Sequence, residues 1–293
     1  MEIVHTVADL KAVLAAQRSE GKSIGLVPTM GALHEGHASL VRRSLKENDT
    51  TVVSIFVNPT QFNDKNDLAK YPRTLDKDCQ LLGQTANEVN GDEAQTSHII
   101  VFVPSVEEVY PEPDTRQFSY PPTDTVMEGS FRPGHFNGVC QIVSKLFSMT
   151  EPDRAYFGEK DFQQIAVIRR MVEDLKYGLE LCPCPIVREK DGLALSSRNT
   201  LLTDEERKTA VNISKILFAS RDYSATHTLG ETRQWVVDEI NKIDGLQVQY
   251  YEIVDGKSLL SLTEWDDASD IVGCITVFCG SQPIRLIDNI RYK

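Results

Sequence analysis

Apolar runs and amphipathic stretches alternate through the first two-thirds of this chain, and the alternation predicts strands and helices in turn. Residues 23–28 (SIGLVP) are apolar almost throughout, as a buried strand must be. Residues 36–48 place Leu40, Val41, Ser44 and Leu45 at helical spacing, which predicts a helix with one face inward. Residues 51–57 (TVVSIFV) are β-branched and predict a second strand. The same reading gives a helix over 75–85, a strand over 99–103 stopping at Pro104, a helix over 135–149, a strand over 154–157 and a helix over 161–175. Strands alternating with helices at this spacing predict βαβ units: an α/β fold with a Rossmann-like parallel sheet and helices on both faces. Such sheets bind ligands at the carboxyl ends of their strands.

After about Leu181 the pattern changes. Helices over 203–221 and 228–243 precede strands over 247–254, 271–278 and 283–290, which predicts a smaller C-terminal α+β domain. Gly178, Pro183 and Pro185 break regular structure between the two parts, so the domains are drawn at 1–182 and 183–293. Residues 87–97 (NEVNGDEAQTS) are polar and read as an exposed loop to which no function is assigned.

Composition narrows the function. The 293 residues carry 31 basic and 43 acidic side chains, a formal charge of −12. An acidic chain is a poor partner for a phosphate backbone, so nucleic acid is not expected. The longest apolar run, 271–279, is too short for a membrane span, and the first residues carry no secretory core, so a cytoplasmic protein is expected. The six cysteines show no C-x-x-C pair and read as reduced thiols; no protein metal site is expected.

Four clusters could carry chemistry. In the first, Met30-Gly31-Ala32-Leu33-His34-Glu35-Gly36-His37 follows a predicted strand and opens a predicted helix. A glycine-punctuated turn of this kind lets backbone N–H groups and the helix N-terminus meet an anion. His34 and His37, three residues apart, fall on one helical face and suit phosphate contact; the alternatives are a capped helix with two surface histidines, or a zinc pair lacking its third ligand. Neither a P-loop nor a G-x-G-x-x-G fingerprint is present, so a nucleotide site here is of another type. In the second cluster (FVNPTQF), Asn58 and Gln61 offer amides suited to a hydroxylated carboxylate, although Asn-Pro also starts ordinary turns. Tyr71 in the following Tyr-Pro-Arg could wall a small apolar pocket or simply pack. The third cluster, Gly158-Glu159-Lys160-Asp161 with Gln164, again joins a strand end to a helix start. Lys160 suits a phosphate and Asp161 a ribose hydroxyl, with Gln164 one helical turn from Lys160; a charged first turn is the plainer alternative. The fourth, Leu195-Ser196-Ser197-Arg198, preceded by Val187, could clamp an oligophosphate, but such strings are common in loops. FRPGHF (131–136) is a weaker candidate contact.

Taken in order, PTMGALHEGH, FVNPTQF, YPR, FRPGHFNGV, FGEKDFQQ and LSSRN resemble the pantoate–β-alanine ligases, adenylate-forming members of the HIGH-motif nucleotidyltransferases. The resemblance runs from about Ile24 to Asn199. It implies ATP-dependent condensation of pantoate with β-alanine through a pantoyl-adenylate, with AMP and pyrophosphate released. It implies that Met30 to His37 border ATP, with His34 and His37 on its phosphates and His37 as proton donor. It puts Gly158 to Asp161 along ATP, Lys160 on phosphate and Asp161 on ribose. Val187 and Leu195 to Arg198 complete the nucleotide contacts, and the C-terminal domain closes over the nucleotide. Gln61 and Gln164 would hold pantoate, Gln61 also facing the β-alanine position; the reading of the residues adds Asn58 and Tyr71 as substrate contacts. Mg²⁺ would ride mainly on the ATP phosphates, and a homodimer is implied. Leu195 stands where the family often has Met, a volume-conserving change. The alternatives are a HIGH-type nucleotidyltransferase for another small molecule, or a nucleotide-binding module without catalysis. A tRNA synthetase is disfavoured, since no basic extension is visible. The net charge then requires a local positive pocket within an acidic shell.

Overall fold

The computed structural model describes residues 1–62, 68–69, 71–91 and 98–293, and the chain divides into two compact units. The first comprises Met1–Tyr120, Arg132–Glu159 and Val167–Pro185. Its sheet is built from β1 (Glu2–Val4), β2 (Ile24–Thr29), β3 (Thr50–Ile55), β4 (His98–Phe102), β5 (Arg154–Gly158) and β6 (Glu180–Cys184). The spatial order is β1-β4-β3-β2-β5-β6 and every pairing is parallel. The order reverses between β2 and β5, so the chain leaves their carboxyl ends in opposite directions and opens the crevice where such sheets take ligands.

Helices α1 (Val7–Ser19), α2 (Glu35–Glu47), α3 (Leu75–Asn90), α4 (Val106–Val109) and α6 (His135–Thr150) belong to this unit; α5 (Glu128–Phe131) belongs to the second, and α7 (Phe162–Asp174) has its first turn in the second and the rest in the first. Leu40, Val41 and Leu45 of α2 and Leu82 of α3 form one core with Val27, Val53, Ile99 and Val101 of the sheet. The alternate strand residues Leu26, Val52 and Ile100 are equally buried, so by the two-residue period they face the other side, where α6 packs on β2.

The structure corrects several sequence boundaries. α3 continues through Asn90, so residues 87–90 are helical rather than loop; residues 92–97 of that polar stretch lie outside the described residues. β6 occupies part of the segment read as a break. It is an edge strand, where Pro183 need not donate to a neighbour. β1 and α1 were not expected from the sequence, because β1 is three residues long and α1 buries only Leu10 and Leu14.

The second unit comprises Pro121–Phe131, Lys160–Ala166 and Ile186–Lys293. Strands β7 (Leu246–Asp255), β8 (Ile271–Cys279) and β9 (Ile284–Arg291) form an antiparallel sheet in that order. Helices α8 (Asp204–Ser224) and α9 (Leu229–Asn241) begin at Thr203 and Thr228 with reciprocal boxes to Glu206 and Glu231, which satisfies their first N–H groups. Leu217, Val236, Ile240, Ile275 and Val277 form its core. All six cysteines are free thiols, and burial pushes Cys182 and Cys279 up to about 11. Among the described residues, no helix is long and apolar enough to cross a membrane.

Candidate active site

The carboxyl end of β2 runs into a turn whose backbone is unusual. Gly31 has φ +82°, and a Cβ there would lie 3.1 Å from Ile55 and 3.2 Å from the Asp78 carboxylate. Ala32 follows at φ +50°, a left-handed conformation that costs an alanine about 1–2 kcal/mol. The turn is held from outside. The Asp78 carboxylate accepts from the N–H of Ala32 at 3.0 Å and of Leu33 at 2.8 Å. Thr29 adds a local tie, its hydroxyl donating to the Ser54 carbonyl and accepting from Gly31 N–H.

His34 is the cap of α2. Its Nδ1 accepts from Gly36 N–H at 3.1 Å, and Nδ1 of His37 accepts from His34 N–H at 3.3 Å. The rings lie 4.1 Å apart, tilted by 37°. With both Nδ1 atoms serving as acceptors, each neutral ring carries its proton on Nε2. The loop thus presents two imidazole N–H donors beside a helix N-terminus, a combination suited to an oligophosphate.

The turn after β3 is tied as tightly. Asn58 is 1% exposed and its amide is engaged within the protein. Nδ2 donates to Gln61 Oε1 and to the Gly138 carbonyl, each at 3.2 Å; Oδ1 accepts from Tyr110 Oη at 2.8 Å. Burial pushes the Tyr110 phenol up, which keeps it a donor. Gln61 Nε2 lies 3.0 Å from the Met30 sulfur, and the Gln61 carbonyl accepts from His135 Nδ1 at 2.9 Å. Arg132 reaches Nε2 of the same histidine at 3.1 Å. Gly138 permits this approach: a Cβ there would sit 2.4 Å from the Thr60 carbonyl oxygen and 2.8 Å from Gln61 Cα. Tyr71 is buried, its ring in a T-shaped pair with Phe62, centroids 5.8 Å apart.

In the second unit, Lys160 and Asp161 lie in a 3-10 turn (Glu159–Asp161) ahead of α7, with Lys160 Nζ 3.5 Å from the Asp161 carboxylate. The helical spacing expected between Lys160 and Gln164 therefore does not hold, because α7 starts only at Phe162. The Lys160 carbonyl accepts from Asn289 Nδ2 at 3.2 Å. Gln163, beside Gln164, is structural: it binds the carbonyls of Thr123 and Val126 and accepts from Glu128 N–H. Val187 and Leu195 face each other across a small hairpin, with Leu195 N–H on the Val187 carbonyl at 3.1 Å and a bridge between Arg188 and Ala194. Arg188 anchors the hairpin through two bonds to Asp288, at 2.7 and 2.8 Å. Burial pushes the Asp288 carboxyl up, and the Arg188 guanidinium opposes that shift. Ser196 then caps a 3-10 turn (Ser197–Leu201), its Oγ accepting from Arg198 N–H at 3.2 Å. Among the described residues, no group of three or more His, Cys, Asp or Glu could hold a metal ion.

The sequence model of the pantoate–β-alanine ligase family matches residues 2–291. The chain belongs to this family. It is 62% identical to the pantothenate synthetase of Bacteroides thetaiotaomicron over 293 residues, covering 100% of this chain and 99% of that one. The crystal structure of pantothenate synthetase from Thermus thermophilus matches at a TM-score of 0.89 and 40% identity, over 100% of this chain and 99% of the other. A pantoate–β-alanine ligase from Francisella tularensis, solved with β-γ ATP and β-alanine, matches at 0.80 and 33% identity, over 100% and 98%. The six-stranded parallel sheet with a small antiparallel C-terminal sheet is shared with these ligase structures.

Within this ligase framework, the carboxyl ends of β2, β3 and β5 carry Met30 to His37, Asn58 to Gln61, and Gly158 with Glu159. Sequence reasoning passed over Asp78, Tyr110 and Gly138, and gave His135 little weight. One signal for Asp78 was present: with Leu82 and Thr85 it falls on the buried face of α3, where a carboxylate needs a partner.

Proposed function

We propose that this ligase joins pantoate to β-alanine in two steps, with His34, His37, Lys160 and Arg198 stabilising charge on the phosphates of ATP. A pantoate carboxylate oxygen attacks the α-phosphorus, the bond to pyrophosphate breaks, and pantoyl-adenylate forms. The β-alanine amine then attacks the acyl carbon, loses a proton, and AMP leaves with the shared oxygen. A carboxylate is already ionised at neutral pH, so the first step asks for alignment and charge stabilisation rather than a base. The observation that carries this reading is the pair of Nδ1 acceptor bonds that leave an Nε2 proton on both His34 and His37. His37 donates its Nε2–H as a hydrogen bond to the departing group, the form in which the proton-donor role implied by the resemblance fits a neutral ring.

Met30 to His37 and Gly158 to Asp161 line ATP, Asp161 taking the ribose, and Val187 with Leu195 to Arg198 supply the remaining nucleotide contacts. Gln61 and Gln164 hold pantoate. Asn58 acts through Gln61, whose amide it orients, and Tyr71 backs that turn through Phe62. Mg²⁺ enters with ATP as part of the substrate. A homodimer and a cytoplasmic location complete the proposal, and the free thiols suit that compartment; the single cut drawn at 1–182 and 183–293 gives way to the interleaved units, since residues 121–131 and 160–166 fall in the second.

Substrate omission tests the reaction. Pyrophosphate release should require ATP and pantoate but not β-alanine, whereas pantothenate formation should require all three. His34→Ala or Lys160→Ala should slow pyrophosphate release by more than about tenfold in a folded protein. Pantoate-independent release, or near wild-type rates in both variants, contradicts the assignment.

A further inference from the structure

We propose that Asp78 is a positioning residue for the His34–His37 loop; this rests on the proposed role of that loop at the phosphates. The geometry is specific. Asp78 is 1% exposed, so its carboxylate cannot itself meet a substrate. Its two oxygens divide the labour: Oδ2 takes Ala32 N–H at 3.0 Å, and Oδ1 takes Leu33 N–H at 2.8 Å and the Thr74 hydroxyl at 3.0 Å.

These bonds grip the two residues just before His34, where Gly31 and Ala32 both run at positive φ. Relaxing Ala32 to an ordinary conformation would swing the following N–H groups and the cap of α2. The imidazoles depend on that cap, because His34 Nδ1 and His37 Nδ1 both bond to its backbone. Asp78 thus holds the strained turn whose shape orients both rings, from a helix more than forty residues away in sequence. A buried carboxylate is costly to keep unless hydrogen bonded, and Asp78 meets that cost with its three donors.

Asp78→Asn tests this. Asparagine keeps the shape but replaces one acceptor oxygen by NH₂, which cannot accept from a backbone N–H. The kcat for pantoate-dependent pyrophosphate release should fall about tenfold or more, with KM for pantoate changed less than about threefold. Adding Ala32→Gly removes the steric cost of positive φ and should recover part of the lost kcat. A purely structural role would not produce that recovery. Thr74→Val, which removes only the hydroxyl donor, should give a smaller fall in kcat and covers the case in which Asp78→Asn fails to fold. Wild-type kcat in Asp78→Asn overturns the proposal, as does a loss that Ala32→Gly leaves unchanged or, should Asp78→Asn fail to fold, a wild-type kcat in Thr74→Val. His34→Ala run alongside separates the two claims: if it is inactive while Asp78→Asn is normal, only the positioning role falls. If His34→Ala is itself normal, the reading of the loop falls with it.

Discussion

The loops of the candidate site are held in different ways in the two units. In the first unit, Gly31 to Leu33 and Asn58 to Gln61 are fixed by side chains and backbone from remote sequence: Asp78, Tyr110, His135 and Gly138. In the second, the turn from Ser196 to Leu201 is closed by short-range bonds, with Arg198 N–H on Ser196, Asn199 Nδ2 on the Ala194 carbonyl and the Thr200 hydroxyl on the Ser197 carbonyl. A loop fixed by remote groups cannot shift without unmaking those bonds. The second turn carries short-range bonds of its own and also packs on β9. On the proposed function, alignment of the reacting groups falls to the first region and contact with the nucleotide to the second.

Three substitutions break or sharpen that contrast. Arg188→Ala has the largest expected effect, because it strands the buried Asp288 carboxylate at the base of the hairpin. Losing one partner of a buried pair typically costs about 3–5 kcal/mol. Denaturant unfolding should register it, and a shift within error would show that the hairpin needs no anchor. Gly138→Ala comes next. Its methyl group meets the Thr60 carbonyl, so the Pro59–Gln61 turn must move, at an overpacking cost of about 1–3 kcal/mol. Its kinetic signature should be a fall in kcat/KM for pantoate with the KM for ATP near normal. A selective loss for ATP would erase the division of labour between the loops. Ser196→Ala should be the mildest, at most about 1 kcal/mol in stability, since it removes one local cap. Any kinetic change should appear against ATP. A collapse of the fold would show that this turn is as deeply anchored as the other.

What could be read from the sequence follows the same division. Continuous apolar or β-branched runs revealed β2 to β5, and helical spacing revealed α2, α3, α6 and α7, because each pattern is local; the four-residue α4 and α5 are too short to show a period. β6 was hidden by Pro183, and α1 by its thin apolar face. The histidine loop was legible as a string, since glycine, cap and rings lie within eight residues. The residues that hold it and the Asn58–Gln61 turn were not. Asp78 and Gly138 act across the fold on Leu33 and Thr60, and nothing in their own neighbourhoods names those targets. Lys160 was placed one helical turn from Gln164 because a strand-to-helix junction was read as helix from its first residue; the intervening 3-10 turn has no sequence period of its own.

The route through pantoyl-adenylate is the claim on which the residue roles depend, and following one oxygen atom tests it. Pantoate labelled with oxygen-18 in its carboxylate should deliver one labelled atom to AMP when β-alanine is supplied, because the bridging oxygen leaves with the phosphate. Unlabelled AMP, formed at the same rate as pantothenate, would contradict the account.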